Sequence, residues 1–185
     1  MKNKGIVLAA AMAATAATGA LTGLVFAQAA HDEKAEKHEG YQDDGKVNGE
    51  TLENVKVKLD GGLAASSKAG KPISAKFEKH EGKLQLSVYT AKAGKFSEVV
   101  VDTKSGKAGK AEMISSGEDL TAAKAQSEAM SKAKLTLGSA VRKALDANKG
   151  FAAISVYPSI KDGHPVAAVT IGREENLKTV SIMLD

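Results

Sequence analysis

The amino-acid sequence predicts an α+β fold made of duplicated units, in which each antiparallel β-meander is preceded by a helix and the helices pack on one sheet face. Three observations support this prediction. Apolar and polar residues alternate over several stretches, as they do in half-buried strands. Acidic residue–Gly pairs separate these stretches, and apolar stripes at helical spacing precede them. Placing Ile73 on Ile154 aligns the apolar positions and the Gly turns of the two halves.

The start of the chain is typical of a secretory signal peptide, predicted over residues 1–29. Lys2 and Lys4 precede an uncharged stretch rich in Ala, Leu and Val, and Ala27-Gln28-Ala29 offers small residues to a signal peptidase. A retained membrane anchor is the alternative, because the stretch is long enough to span a bilayer. Its Ala, Thr and Gly residues gain little from lipid. We therefore predict cleavage, a periplasmic or secreted location, and no stable membrane span afterwards.

Composition excludes several classes of function. The 185 residues include no Cys, which rules out disulfide scaffolds and Cys-ligated metal sites. Four Phe, three Tyr and no Trp are too few for a base-stacking surface, and the predicted export also disfavours nucleic-acid binding. Residues 30–50 are acidic and nearly free of aliphatic side chains, which predicts a flexible leader.

Residues 51–115 are predicted to form the first unit. Leu84, Leu86 and Val88 alternate with polar residues after the Glu81-Gly82 turn, and residues 96–102 form a second, β-branched strand. The helix that precedes this meander is expected to be short, because Gly61-Gly62 interrupts it.

Residues 116–135 are predicted to form a connecting helix, and residues 136–185 a second, degenerate unit. Ser115 and Glu118 have the spacing of a capping box at the start of the connecting helix. Thr136 is the predicted N-cap of the next helix.

The first unit resembles the PepSY domain family. The resemblance lies in residues 73–78, 82–90 and 96–107, where a strand ends in Val101-Asp102 and is followed by Gly106-Lys107. It implies a small extracytoplasmic module without catalytic residues, in which Asp102 and Gly106 are structural turn residues. PepSY units also occur in propeptides of secreted metallopeptidases, so the resemblance implies an inhibitory or modulating action on a peptidase.

The leading functional prediction is a non-enzymatic module that binds a protein partner of the cell envelope through its sheet face or an edge strand. No cofactor is predicted. Gly163, in the second unit, is predicted to be a structural turn residue like Asp102 and Gly106. The residues predicted to contact the partner share one hairpin: Glu81, Gly82, Lys83, Gln85, Ser87 and Tyr89.

A second hypothesis is an envelope protein that sequesters a metal ion or a small ligand. His31 and His38 lie among acidic residues of the leader, and cleavage after Ala29 would place His31 second in the mature chain, where it could chelate copper or nickel. Enzymatic function has no support, because neither His-Glu-x-x-His nor Gly-x-Ser-x-Gly occurs. The lysines of residues 68–110 are interpreted as solubilising sheet edges, and the alternative is a basic face for an anionic partner such as lipid headgroups, cell-wall polymers or an acidic protein.

Overall fold

A computed structural model describes residues 46–185 of the chain. The predicted signal peptide, residues 30–45 of the predicted leader, and the histidines His31 and His38 lie outside this range. The described part contains one antiparallel sheet of seven strands in the order β4-β3-β2-β1-β5-β6-β7. The strands are β1 (Lys71–His80), β2 (Lys83–Lys92), β3 (Lys95–Val101), β4 (Ala108–Ile114), β5 (Ala152–Lys161), β6 (His164–Arg173) and β7 (Asn176–Met183). The helices are α1 (Gly49–Leu52), α2 (Leu59–Ser66), α3 (Gly117–Lys132) and α4 (Leu137–Asp146).

The predicted fold class is wrong, because the chain forms one mostly-β sheet and not duplicated helix-plus-meander units. The seven strands hold 62 residues and the four helices hold 38. Local alternation predicted the hairpins, but it could not predict that β1 and β5 pair and join all seven strands in a single sheet. Such a pairing links residues about 80 positions apart, and only the folded chain brings them together.

The helices also occupy both faces of the sheet and not one. On the face that we call the apolar face, α2 packs against Leu86, and α4 lies beside α2, with Arg142 and Asp60 3.8 Å apart. On the opposite face, which we call the polar face, α3 crosses the sheet, and Ser74 Oγ of β1 donates to Gln126 Oε1 of α3 at 2.6 Å. Buried residues on the apolar face include Ala75, Phe77, Leu86, Val88, Val99, Val101, Val156, Ala167, Val169 and Ile171.

The N-cap predicted from the sequence is correct for one helix and wrong for another. Thr136 caps α4, as predicted, and its hydroxyl accepts from Ser139 N at 3.1 Å. The capping box at Ser115 is wrong: Ser116 is the N-cap of α3, and its side chain makes no capping hydrogen bond. The helix before the first meander is short, as predicted, since α2 has eight residues, but Gly61-Gly62 lies inside it and does not interrupt it. At Gly62 the contact with Leu86 leaves no room for a side chain.

The last residues of the predicted leader belong to the fold. Val47 is buried, and Asn48 begins α1 with a capping box in which its Oδ1 accepts from Thr51 N at 2.9 Å. Gly49 N donates to Glu174 O at 2.9 Å and lies against the backbone of Arg173, where no Cβ would fit. This segment therefore closes over the polar face of β5 and β6.

The contact between β1 and β5 is unusually short. Only two residue pairs join these ten-residue strands, Ala75 with Val156 and Lys76 with Ser155. Each strand also carries an irregularity, at residue 73 in β1 and at residue 154 in β5, and the two pairs lie between them. Bulges bend a strand and increase its twist, so the two strands diverge on either side of the contact.

The packing of α2 on the sheet predicts opposite effects for its two glycines. A Cβ on Gly62 would overlap the fully buried side chain of Leu86, so Gly62→Ala should destabilise the protein by about 1–3 kcal/mol despite the better helix propensity of Ala. Gly61 is the matched control: its Cβ would lie 3.6 Å from Val57, and Gly61→Ala should stabilise by up to about 1 kcal/mol. Urea unfolding of both variants measures the difference, and equal effects would contradict the packing argument.

Candidate functional site

The six residues predicted to contact a partner do not form one exposed surface. Glu81, Gly82 and Lys83 are exposed in the turn between β1 and β2. Ser87 is fully buried and Tyr89 is only 8% exposed, because α3 covers this part of the polar face. Gln85 is half-buried, so a partner could reach the turn and part of Gln85 but not Ser87 or Tyr89.

Ser87 belongs to a hydrogen-bonded network on the polar face. Its hydroxyl donates to Glu78 Oε1 at 2.6 Å and accepts from Gln85 Nε2 at 2.9 Å. Glu78 also pairs with Lys76, with 2.5 Å between Oε2 and Nζ, and both side chains are mostly buried. The charge of Glu78 is thus compensated inside the protein, and the network orders the surface of β1 and β2.

Glu98 of β3 completes this network. Burial raises the pKa of the Glu98 carboxyl, the hydrogen bond with Ser87 opposes the rise, and the neighbouring Glu78 charge adds to it. Ser87 has a single hydroxyl hydrogen, so it donates to only one of the two carboxylates at a time. Protonation of Glu98 removes this competition and the repulsion from Glu78.

The central groove, as we call it, opens where β1 and β5 diverge. The volume of the groove is about 240 Å³. The groove lies at the end of the sheet that holds the turn between β1 and β2. Val47, from the segment before α1, lines one side. The residues that line the groove are Lys46, Val47, Lys76, Phe77, Glu78, Lys79, His80, Ile154, Ser155 and Tyr157.

Basic groups outnumber acidic groups around the central groove. Lys46, Lys76 and Lys79 contribute three positive charges, and His80 adds a fourth basic group. Within residues 46–185, Glu78 is the only acid that lines the groove, and Lys76 already neutralises it. Lys46 and His80 are exposed, so both side chains can contact a molecule that enters from solvent.

Most of this groove was not predicted from the sequence. Lys46 and Val47 fall within the predicted flexible leader, and Ile154 was predicted only as an apolar position that aligns with Ile73. One signal was available: Asn48 and Thr51 have the spacing of a helix N-cap, and an apolar residue directly before it is typical of a chain that enters a packed helix. The divergence of β1 and β5 has no comparable signal in the sequence.

The predicted turn residues take the expected conformations. Asp102 Oδ1 accepts hydrogen bonds from Ser105 N at 2.6 Å and from Ser105 Oγ at 2.7 Å. The Ser105 hydroxyl and backbone amide lower the pKa of the Asp102 carboxyl, as expected for a hydrogen-bonded carboxylate. Gly106 has a φ of +74° and Gly163 a φ of +84°, the left-handed region that favours glycine.

The metal hypothesis stays untested, because His31 and His38 lie outside the described residues. Within residues 46–185, no group of three or more His, Cys, Asp or Glu side chains could hold a metal ion. His164, the histidine of the second turn, has its Nδ1 2.6 Å from Asp185 Oδ2 at the end of the chain. None of the helices between residues 46 and 185 has the length and hydropathy needed to cross a bilayer.

Comparison with known proteins does not identify a family. No protein-family model matches the chain, and no curated protein matches it. Among solved structures, the chain is similar to a crystal structure of a "putative lipoprotein" from Clostridium difficile 630, with 11% sequence identity and a TM-score of 0.38. The match covers 62% of this chain and 75% of that one. The resemblance to PepSY domains therefore stays a hypothesis.

The raised pKa of Glu98 predicts a pH-dependent effect of Glu98→Gln. Because the folded protein holds this proton more tightly than the unfolded chain, stability falls as pH rises from about 4.5 through the folded pKa. The glutamine does not titrate, so the variant should exceed the parent in urea midpoint at about pH 7.5, and this advantage should disappear near pH 4.

Glu53→Gln is the control for this measurement, since Glu53 is an exposed carboxyl at the end of α1. The Glu53→Gln substitution should change the urea midpoint little at either pH. An advantage of Glu98→Gln that stays constant between the two pH values would show that the effect is not due to this proton.

The left-handed conformation of Gly106 predicts an ordered series of substitutions. Gly106→Ala should lower the free energy of unfolding by about 1–2 kcal/mol, because a Cβ disfavours a positive φ. Gly106→Asn should cost less, since asparagine tolerates this region better. Thermal or urea unfolding measures both variants, and equal losses would point to a lost contact and not to backbone conformation.

Proposed function

We propose that the chain is an exported, non-enzymatic binding module that holds an extended segment of a partner protein in the central groove. The supporting observation is the two-pair contact between β1 and β5, which leaves the rest of each strand with a partner on one side only. Strand edges of this kind offer backbone N–H and C=O groups to an added strand.

The size and lining of the groove favour a protein segment over a small molecule. Pockets for drug-sized ligands measure about 300–1,000 Å³, and this groove measures about 240 Å³. Phe77, Ile154 and Tyr157 supply apolar contact, while the lysines lie around it. This combination suits one or two side chains of an extended segment that continues beyond the groove.

The sequence supports the location and the first partner to test. Cleavage of the predicted signal peptide over residues 1–29 would leave the mature chain in the periplasm or outside the cell. The resemblance to PepSY domains makes a secreted peptidase the first candidate, with this chain as its inhibitor or modulator. The hairpin residues Glu81 to Lys83 adjoin the groove, so they belong to the same proposed surface.

Site-specific photo-crosslinking of the full chain in its own cells tests this proposal. A photoreactive residue at His80, which is exposed and lines the groove, should yield a discrete crosslinked protein from the cell envelope. The matched control is Lys110, an exposed position on the edge strand β4 far from the groove in strand order. It should yield no such product.

Two outcomes would contradict the proposal. A crosslink from Lys110 without one from His80 would place the binding surface on the edge strand β4. No intermolecular crosslink from His80 in cells that export the chain would remove the groove as a partner site.

A further inference from the structure

We infer that the segment held in the central groove is an acidic extended segment, with apolar residues between its carboxylates, which inserts between β1 and β5. This inference rests on the proposed function and specifies the chemistry of the partner. It follows from three features of the groove: strand edges that lack a second partner, a surplus of positive charge, and apolar side chains between the charges.

The strand edges define the backbone of the occupant. Among the described residues, 77–80 of β1 pair with β2 alone, and 152 and 153 of β5 pair with β6 alone. Neighbouring residues of a strand direct their N–H and C=O groups to alternate sides. Phe77 and Ala153 are buried, whereas residues 78–80 and Ala152 are half-buried or exposed, so an extended segment can bond as an added strand at this end of the two strands.

The charges around the groove define the charge of the occupant. Lys46 and Lys79 line the groove without an ion-pair partner among the salt bridges of the described residues, and His80 lies beside them. Glu78 does not offset these groups, because Lys76, Ser87 and Gln85 already engage its carboxylate. Carboxylates on the entering segment would complement the remaining positive charge, and a lysine-rich segment would be repelled.

The apolar lining defines the remaining side chains. Val47 is 8% exposed, Phe77 5% and Ile154 6%, so the apolar part of the lining is mostly buried. Alternation along β1 places Phe77 and Lys79 on one side of the strand and Glu78 and His80 on the other, so apolar and charged groups occur together around the groove. Apolar residues between the carboxylates of the occupant would contact this apolar part.

Binding of three matched hexapeptides to the purified full chain tests the inference. The probes are an acetylated and amidated peptide of alternating Glu and Val, the same peptide with Lys in place of Glu, and the acidic peptide with alternate backbone amides N-methylated. Titration calorimetry at low ionic strength should show that the acidic peptide binds at least about tenfold more tightly than the Lys peptide. N-methylation should weaken it by at least about tenfold, because it removes the backbone donors.

A charge reversal ties the preference to this groove. Lys46→Glu with Lys79→Glu should invert the order of the acidic and Lys peptides. Lys95→Glu with Lys110→Glu, two exposed positions away from the groove, removes the same charge and should leave the order unchanged. A thermal melt checks that each variant folds, and Lys46→Glu alone, at an exposed position, replaces the double variant if Lys79→Glu unfolds the protein.

Several results would overturn the inference. These are equal binding of acidic and Lys peptides, no binding of either, equal binding of the N-methylated peptide, or a charge reversal without effect. A His80 crosslink to residues of the same chain that precede Lys46 would also overturn it, since the occupant would then be internal. If the His80 crosslink to an envelope protein persists in any of these cases except the last, the groove still binds a partner, and only its chemistry is wrong.

Discussion

The short contact between β1 and β5 is the constraint on which the rest of the structure depends. Two residue pairs join the strands that precede and follow α3 and α4, so this contact makes one sheet out of two sets of strands. The irregularities at residues 73 and 154 limit it to two pairs. The same feature therefore makes the sheet continuous and leaves a groove at its centre.

Different interactions stabilise the two faces of the sheet. The apolar face excludes water beneath α2 and α4, and its contact with α2 is close enough to require Gly62. The polar face buries charged groups beneath α3, and it satisfies them with a network that joins Lys76, Glu78, Ser87 and Glu98. Because Glu78 is neutralised within this network, its charge does not offset Lys46 and Lys79 at the groove.

This arrangement relates the candidate site to stability. A protein that leaves strand edges without a partner inside its sheet exposes backbone groups that most sheets pair or cover. The segment around Val47 and Asn48 covers part of the gap, and the rest stays open to a partner. Binding of an extended segment would complete the pairing, which is why the groove suits recognition of a strand better than chemistry on a small substrate.

The sequence alone determined the local elements. The turns at Glu81-Gly82 and Asp162-Gly163, the cap at Thr136 and the strand around Leu86 follow from backbone preferences and alternation that act over a few residues. Tertiary structure decided the rest: the β1–β5 pairing, the placement of α3 on the polar face, and the burial of Ser87 and Tyr89 beneath it. Alternation shows that two sides of a strand differ, but it does not show that a distant helix covers the polar side. The groove was beyond sequence analysis for the same reason, because it forms where residues 46 and 47, β1 and β5 meet, and these are close only in the folded chain.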